Sequence, residues 1–220
     1  DAMRDKLILI VTMLAVLISG RVAADKYQTS INHNGACSIG CPISAADGRF
    51  YFNMRFFDLG GPLPLRFGLR YGLNENSTTQ LINHFQNTLQ PYLRWESTGG
   101  VDNGPLITLD MHDGEEIHFP YDTATSSWKP DDASSIRYVL KETGADYKTG
   151  YFYFMDPVRQ CVYIFEKMTI AATETVCSSR LLYVIDRNGN RLTYTYPEDW
   201  SYSPSSVSDG LGRKLDFTYD

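Results

Sequence analysis

Residues 186–197 read DRNGNRLTYTYP and residues 209–220 read DGLGRKLDFTYD. Aligned without gaps, the two stretches share Asp186/Asp209, Gly189/Gly212, Leu192/Leu215, Thr195/Thr218 and Tyr196/Tyr219, at a constant offset of 23 residues. Arg191/Lys214 and Tyr194/Phe217 are conservative pairs. Each copy opens with Asp and Gly, the residues of a tight turn, and continues with Leu, an aromatic and Tyr at alternate positions, the period of a strand. One turn and one strand cannot bury such a face alone, so the spacing predicts stacked units that cover one another.

Working outward, the composition agrees with a β protein. The 220 residues are 43% hydrophobic and 21% charged, enough to form a packed core, and they include 15 Tyr, 11 Phe and 17 Gly. Aromatic and β-branched side chains suit a pleated surface, and glycines suit the turns between strands. In RFYFNMRFFDLGGPLPLRFGLRYG, Phe50, Phe52, Met54 and Phe56, then Leu65, Phe67 and Leu69, alternate on either side of Gly60, Gly61 and Pro62. The pattern predicts two strands and a turn. LITLDMHDGEEIHFPYD predicts a hairpin turning at Asp113 and Gly114. IRYVLKE, YFYFMD, CVYIFEKM and RLLYVID predict further strands, with residues 123–135 as a loop. Without room for crossover helices, the expected fold is an all-β antiparallel meander. Residues 78–93 fit either a helix ended by Pro91 or a strand.

The N-terminal MRDKLILIVTMLAVLISGRVAAD has a charged start at Arg4 and Lys6, an apolar run over residues 7–18, and small residues at Ala23 and Ala24. This is the pattern of a secretory signal cut before Asp25. Twelve apolar residues span about 18 Å as a helix, less than a hydrocarbon core of roughly 30 Å, so a membrane link is expected only through an uncleaved signal. An exported chain, periplasmic, secreted or on the cell surface, follows. The formal net charge of −6 argues against nucleic acid as a partner.

Export permits disulfides among Cys37, Cys41, Cys161 and Cys177. Three pairings are open, of which Cys37–Cys41 and Cys161–Cys177 are favoured as near neighbours in sequence. Their spacing is not that of a zinc site, and no metal or other cofactor is expected. His112 and His118 flank Asp113–Glu116 and read as exposed turn residues. No G-x-S-x-G or HExxH occurs, and Asp58, Asp110 and Asp156 read as turn formers before they read as catalytic carboxylates. Tyr92, Trp95, Trp128 and Trp200 are candidates for stacking on sugars, which leaves adhesion to cell-surface glycans as an alternative function. The Asn76–Ser77–Thr78 sequon matters only in a glycosylating host.

The closing repeat resembles the tyrosine-aspartate (YD) repeats of the rearrangement-hotspot (Rhs) proteins. The stretch from Pro42, Ser44 and Gly48 through Asp58 and Gly61–Leu65 to Arg70 and Tyr71 is similar to the segment that precedes those repeats. The resemblance departs from the family pattern in its 23-residue spacing and in Pro197 where Asp follows Tyr. It implies a signal at residues 1–24, a leader at 25–46, an Rhs N-terminal β region at 47–180 and the first two YD repeats, truncated, at 181–220. It further implies an open Rhs-type β shell with no catalytic residues. The partners expected are the remainder of that shell and an enclosed C-terminal toxin or effector. Asp186, Gly189, Leu192, Tyr196, Asp209, Gly212, Leu215 and Tyr219 are the expected repeat residues.

Overall fold

A computed structural model describes residues 51–72, 85–98, 104–111, 116–131, 137–146, 148–168, 176–197 and 202–219. These residues contain no helix and form two antiparallel sheets. The signal and leader segments, Cys37, Cys41, Pro42, Ser44, Gly48, the sequon, His112, the Asp113–Gly114 turn and Trp200 lie outside them.

The smaller sheet is the expected hairpin. β1 (Tyr51–Asp58) pairs with β2 (Arg66–Gly72), and β3 (Phe85–Asn87) adds to β2. Asp58 closes the turn: its Oδ1 accepts the Gly60 N–H at 2.8 Å, and its Oδ2 accepts Arg66 Nε at 2.8 Å. Gly60 and Gly61 both have positive φ, which a side chain would strain. The strand at β3 and the next one, at residues 92–96, give the segment left open between helix and strand an extended form where it is described.

The larger sheet holds β4 (Tyr92–Glu96), β5 (Leu106–Asp110), β6 (Glu116–Asp122), β7 (Ser127–Trp128), β8 (Val139–Glu142), β9 (Tyr151–Asp156), β10 (Cys161–Lys167), β11 (Val176–Asp186), β12 (Arg191–Thr195), β13 (Ser206–Ser208) and β14 (Lys214–Asp216). β11 is the branch point. One of its edges pairs with β10 along residues 179–186; the other pairs with β4 near its start and with β12 near its end. The sheet therefore divides. β4–β7 and β8–β10 curl round from β11 into a nearly closed barrel, while β12–β14 continue the sheet in sequence from β11.

Side-chain bonds bring the ends of the barrel together. Trp128 Nε1 on β7 donates to Glu142 Oε1 on β8 at 3.0 Å, and Lys167 Nζ on β10 donates to Glu142 Oε2 at 2.9 Å. The Lys167 side chain is fully buried, with its ammonium over the Phe152 ring. A buried cation is tolerated only with such partners. β7 is a strand inside the stretch expected to be a loop, because the turn at Asp122 returns the chain so that the Trp128 indole is buried.

Phe119, Phe152, Phe154 and Phe165 fill the barrel, all inaccessible to solvent. Burying each ring contributes about 2–3 kcal/mol, so the barrel is the main source of stability. Alternation explains the sorting: Phe152 and Phe154 point inward, while Tyr153 and Met155 join Val162 and Ile164 in a second cluster on the other face.

Candidate functional site

The repeat is physical as well as textual. Asp186 Oδ1 accepts the N–H of Asn188 at 2.8 Å and of Asn190 at 2.9 Å, and its Oδ2 accepts Asn190 Nδ2 at 2.6 Å. Asp209 repeats this 23 residues on: Oδ1 accepts from Leu211 at 2.9 Å and Arg213 at 3.2 Å, and Oδ2 from Arg213 Nε at 2.5 Å. Gly189 and Gly212 take matching left-handed φ values of 84° and 89°. The Tyr196 hydroxyl donates to the Leu181 carbonyl at 2.6 Å, and the Tyr219 hydroxyl to the Pro204 carbonyl at 2.8 Å, each 15 residues back. Each unit is thus a strand, a turn clamped by its aspartate, a return strand, and a tyrosine that ties the end of the return strand to the strand before it.

The aspartate's job recurs earlier in the chain with different turns. Asp122 and Asp156 accept N–H groups two and three residues on, and the left-handed residue comes fourth, Ser126 and Gln160. The sequence reading did not register these two as members of the series. A strand ending in Asp was the available signal, and the absence of glycine concealed it.

The second motif meets the first here. Arg213, held by Asp209, extends across to the hairpin turn: Nη1 donates to the Leu59 carbonyl at 2.6 Å and Nη2 to the Gly60 carbonyl at 3.0 Å. Gly61 has a left-handed φ of 99°, which favours glycine, and a side chain there would push the Arg213 guanidinium, 2.5 Å from the added Cβ, off the turn. The Phe67 ring packs on Phe217 at 5.6 Å. Leu65 is buried in the main core.

Under this junction lies a half-open apolar cleft of about 240 Å³, walled by Leu63, Leu65, Leu89, Val184, Leu192 and Val207. It is also lined by the Cys161 thiol and the Tyr163 and Tyr194 phenols. Burial, with Asp156 and Asp186 nearby, pushes the Cys161 thiol up to about 12, so it stays protonated. Burial also raises the Tyr163 and Tyr194 phenols. The Asp156 carboxylate is occupied by the N–H groups of Val158 and Arg159 and by the Arg159 guanidinium at 2.5 Å.

Other expectations fare differently. Cys161 lies opposite Asp186 across the β10–β11 ladder, whereas Cys177 stands nine residues earlier on β11. At 3.3 Å per residue the two are about 30 Å apart. A disulfide needs Cα atoms within about 7 Å, so the favoured Cys161–Cys177 pairing is wrong; neither thiol is in a disulfide, and the two stand at opposite ends of the β10–β11 pair. Trp95 and Trp128 are each 8% exposed and belong to the core, which removes them as a sugar-stacking platform. Tyr92 is half-buried, and Asn87 Nδ2 donates to its hydroxyl at 3.2 Å. His118 is paired with Glu116 at 2.8 Å, which raises its pKa. Asp58, Asp110 and Asp156 sit in separate turns or strand ends. Among the described residues no group of three or more His, Cys, Asp or Glu side chains converges to hold a metal.

No model of a known protein family matches the chain, and no curated protein matches it.

Proposed function

We propose that the chain is a non-catalytic, structural part of an exported protein of the Rhs type, the opening courses of a β shell that encloses or displays a C-terminal effector. The observation that supports this is the bond set repeated at a 23-residue offset, which makes each unit a course that covers the one before it. The Gly-Pro-Leu hairpin docks onto the second course through Arg213, so the two motifs of the resemblance pack together.

Sequencing the coding region downstream of Asp220 tests the reading. Further units are expected, each with Gly three residues and Tyr ten residues after a turn aspartate, followed by an unrelated C-terminal polypeptide. In the purified natural product, that polypeptide should resist added protease until the shell is unfolded. A reading frame with no further unit, or a C-terminal polypeptide digested at once in the native protein, would overturn the proposal.

A further inference from the structure

The cleft beneath the hairpin junction has a set of polar groups as well as its aliphatic walls. Its lining runs from Pro62 to Val207, so it depends on no chain end and no free strand edge, and it stands independently of the shell reading. Two of its donors are already committed. The Tyr194 hydroxyl donates to the Leu89 carbonyl at 3.1 Å, and the Cys161 thiol donates to the Arg159 carbonyl at 3.3 Å.

Tyr163 is the exception. It lies on β10 between Cys161 and Phe165, packs with both in the main core, and is only 4% exposed. Its ring rests against Phe154 at 5.6 Å. Its hydroxyl, however, has no hydrogen-bond partner among the described residues, and the residue borders the cleft. A buried phenol ordinarily finds an acceptor, because an unpaired polar group withdrawn from water carries its full desolvation cost. An acceptor brought into the cleft would satisfy it.

The charges around the cleft select against an anion. Arg66 Nε donates to Asp58 Oδ2 at 2.8 Å and Arg159 Nη1 to Asp156 Oδ2 at 2.5 Å, so each arginine of the lining is already matched by a carboxylate. Asp186, opposite Cys161 across the β10–β11 ladder, adds a further negative charge. A charged ligand would lose its hydration without gaining an unmatched cation. Volume sets the size. A cavity of about 150 Å³ holds benzene, so about 240 Å³ takes a molecule of about ten non-hydrogen atoms.

We propose that this cleft is a binding site for a small, neutral, apolar molecule with one carbonyl oxygen, a medium-chain ketone or ester. Its hydrocarbon lies against the aliphatic walls, and its oxygen accepts the Tyr163 hydroxyl.

Calorimetric titration of the 220-residue chain with methyl hexyl ketone is the test, with octanoate as the charged probe of equal carbon number. Thermal unfolding checks that each variant folds. The ketone should bind saturably at one site, and octanoate about tenfold more weakly or not at all. Tyr163→Phe should keep wild-type stability, since the hydroxyl has no partner to lose, yet weaken the ketone about tenfold, the worth of one buried hydrogen bond. Leu63→Trp, at a half-buried position, fills the cleft from its rim and should abolish binding. Absence of saturable ketone binding, or octanoate binding as tightly as the ketone, would overturn the proposal. So would undiminished binding by Tyr163→Phe or by folded Leu63→Trp, or a Tyr163→Phe variant less stable than wild type, which would give the hydroxyl a partner within the protein.

Discussion

The two copies of the closing unit make the same bonds in different surroundings. In the first, Leu192 and Tyr194 are buried, and the Tyr196 hydroxyl reaches both the Leu181 carbonyl and Gln90 Oε1 at 2.8 Å. In the second, Leu215 and Phe217 are only partly covered and Tyr219 is half in water. The turn is therefore a property of the local sequence, whereas burial is a property of the neighbour. One further position separates them. Asn190 is long enough only to close its own turn, while Arg213 in its place closes the turn and continues to the hairpin.

Matched substitutions can break this contrast. The largest difference is expected between Tyr194→Ala, which empties a filled site and should cost about 3–5 kcal/mol, and Phe217→Ala, at about 1 kcal/mol, both read by denaturant unfolding. Equal losses would mean that the second copy is as fully covered in solution as the first. Next comes the hydroxyl alone. Tyr196→Phe removes the one hydroxyl proton shared between the Leu181 carbonyl and Gln90 Oε1 and should cost about 2 kcal/mol, whereas Tyr219→Phe should stay within about 0.5 kcal/mol.

Gly189→Ala and Gly212→Ala should each cost about 1 kcal/mol. Nothing lies within 4 Å of either added methyl, so only the left-handed backbone is penalised, equally in both copies. A large inequality here would show that the turns differ in more than their surroundings.

The smallest effect is the acid response of the junction. Burial alone would raise the Asp209 carboxyl, but the Leu211 N–H and Arg213 outweigh it and hold it below 3.8; the Gly60 N–H, then Arg66, do the same for Asp58. A depressed folded pKa means the native state binds fewer protons. The stabilisation is therefore present above the ordinary carboxylate range and is lost as pH falls through the folded values, below about pH 4. Thermal unfolding followed down through that range should show Asp209→Asn losing part of the wild-type acid dependence. An unchanged acid limb in the variant would remove Asp209 as a contributor.

Much of the strand pattern was legible because alternation and turn chemistry are local. The hairpin at Asp58–Arg66, the strands at 151–156 and 161–167 and the 23-residue unit all follow from residues within a few positions of one another. The distant partners were not legible. Tyr196 finds a carbonyl 15 residues back, Arg213 one more than 150 residues back, and Trp128 a carboxylate on another strand. Proximity in sequence was also the wrong guide for Cys161 and Cys177, because each stands near the start of its own strand and the antiparallel pairing of β10 with β11 sets those starts at opposite ends.

By itself, then, the sequence determined an all-β antiparallel chain, its turns and its duplicated unit, since φ, hydrogen bonding to a nearby Asp and side-chain alternation are settled within a few residues. Only the tertiary structure decided that β11 divides the sheet, that a buried Lys167 and Trp128 share Glu142 where the barrel comes together, and which copy of the unit is covered. Those outcomes depend on which distant surface arrives to exclude water, and burial is a relation between segments rather than a property of either one.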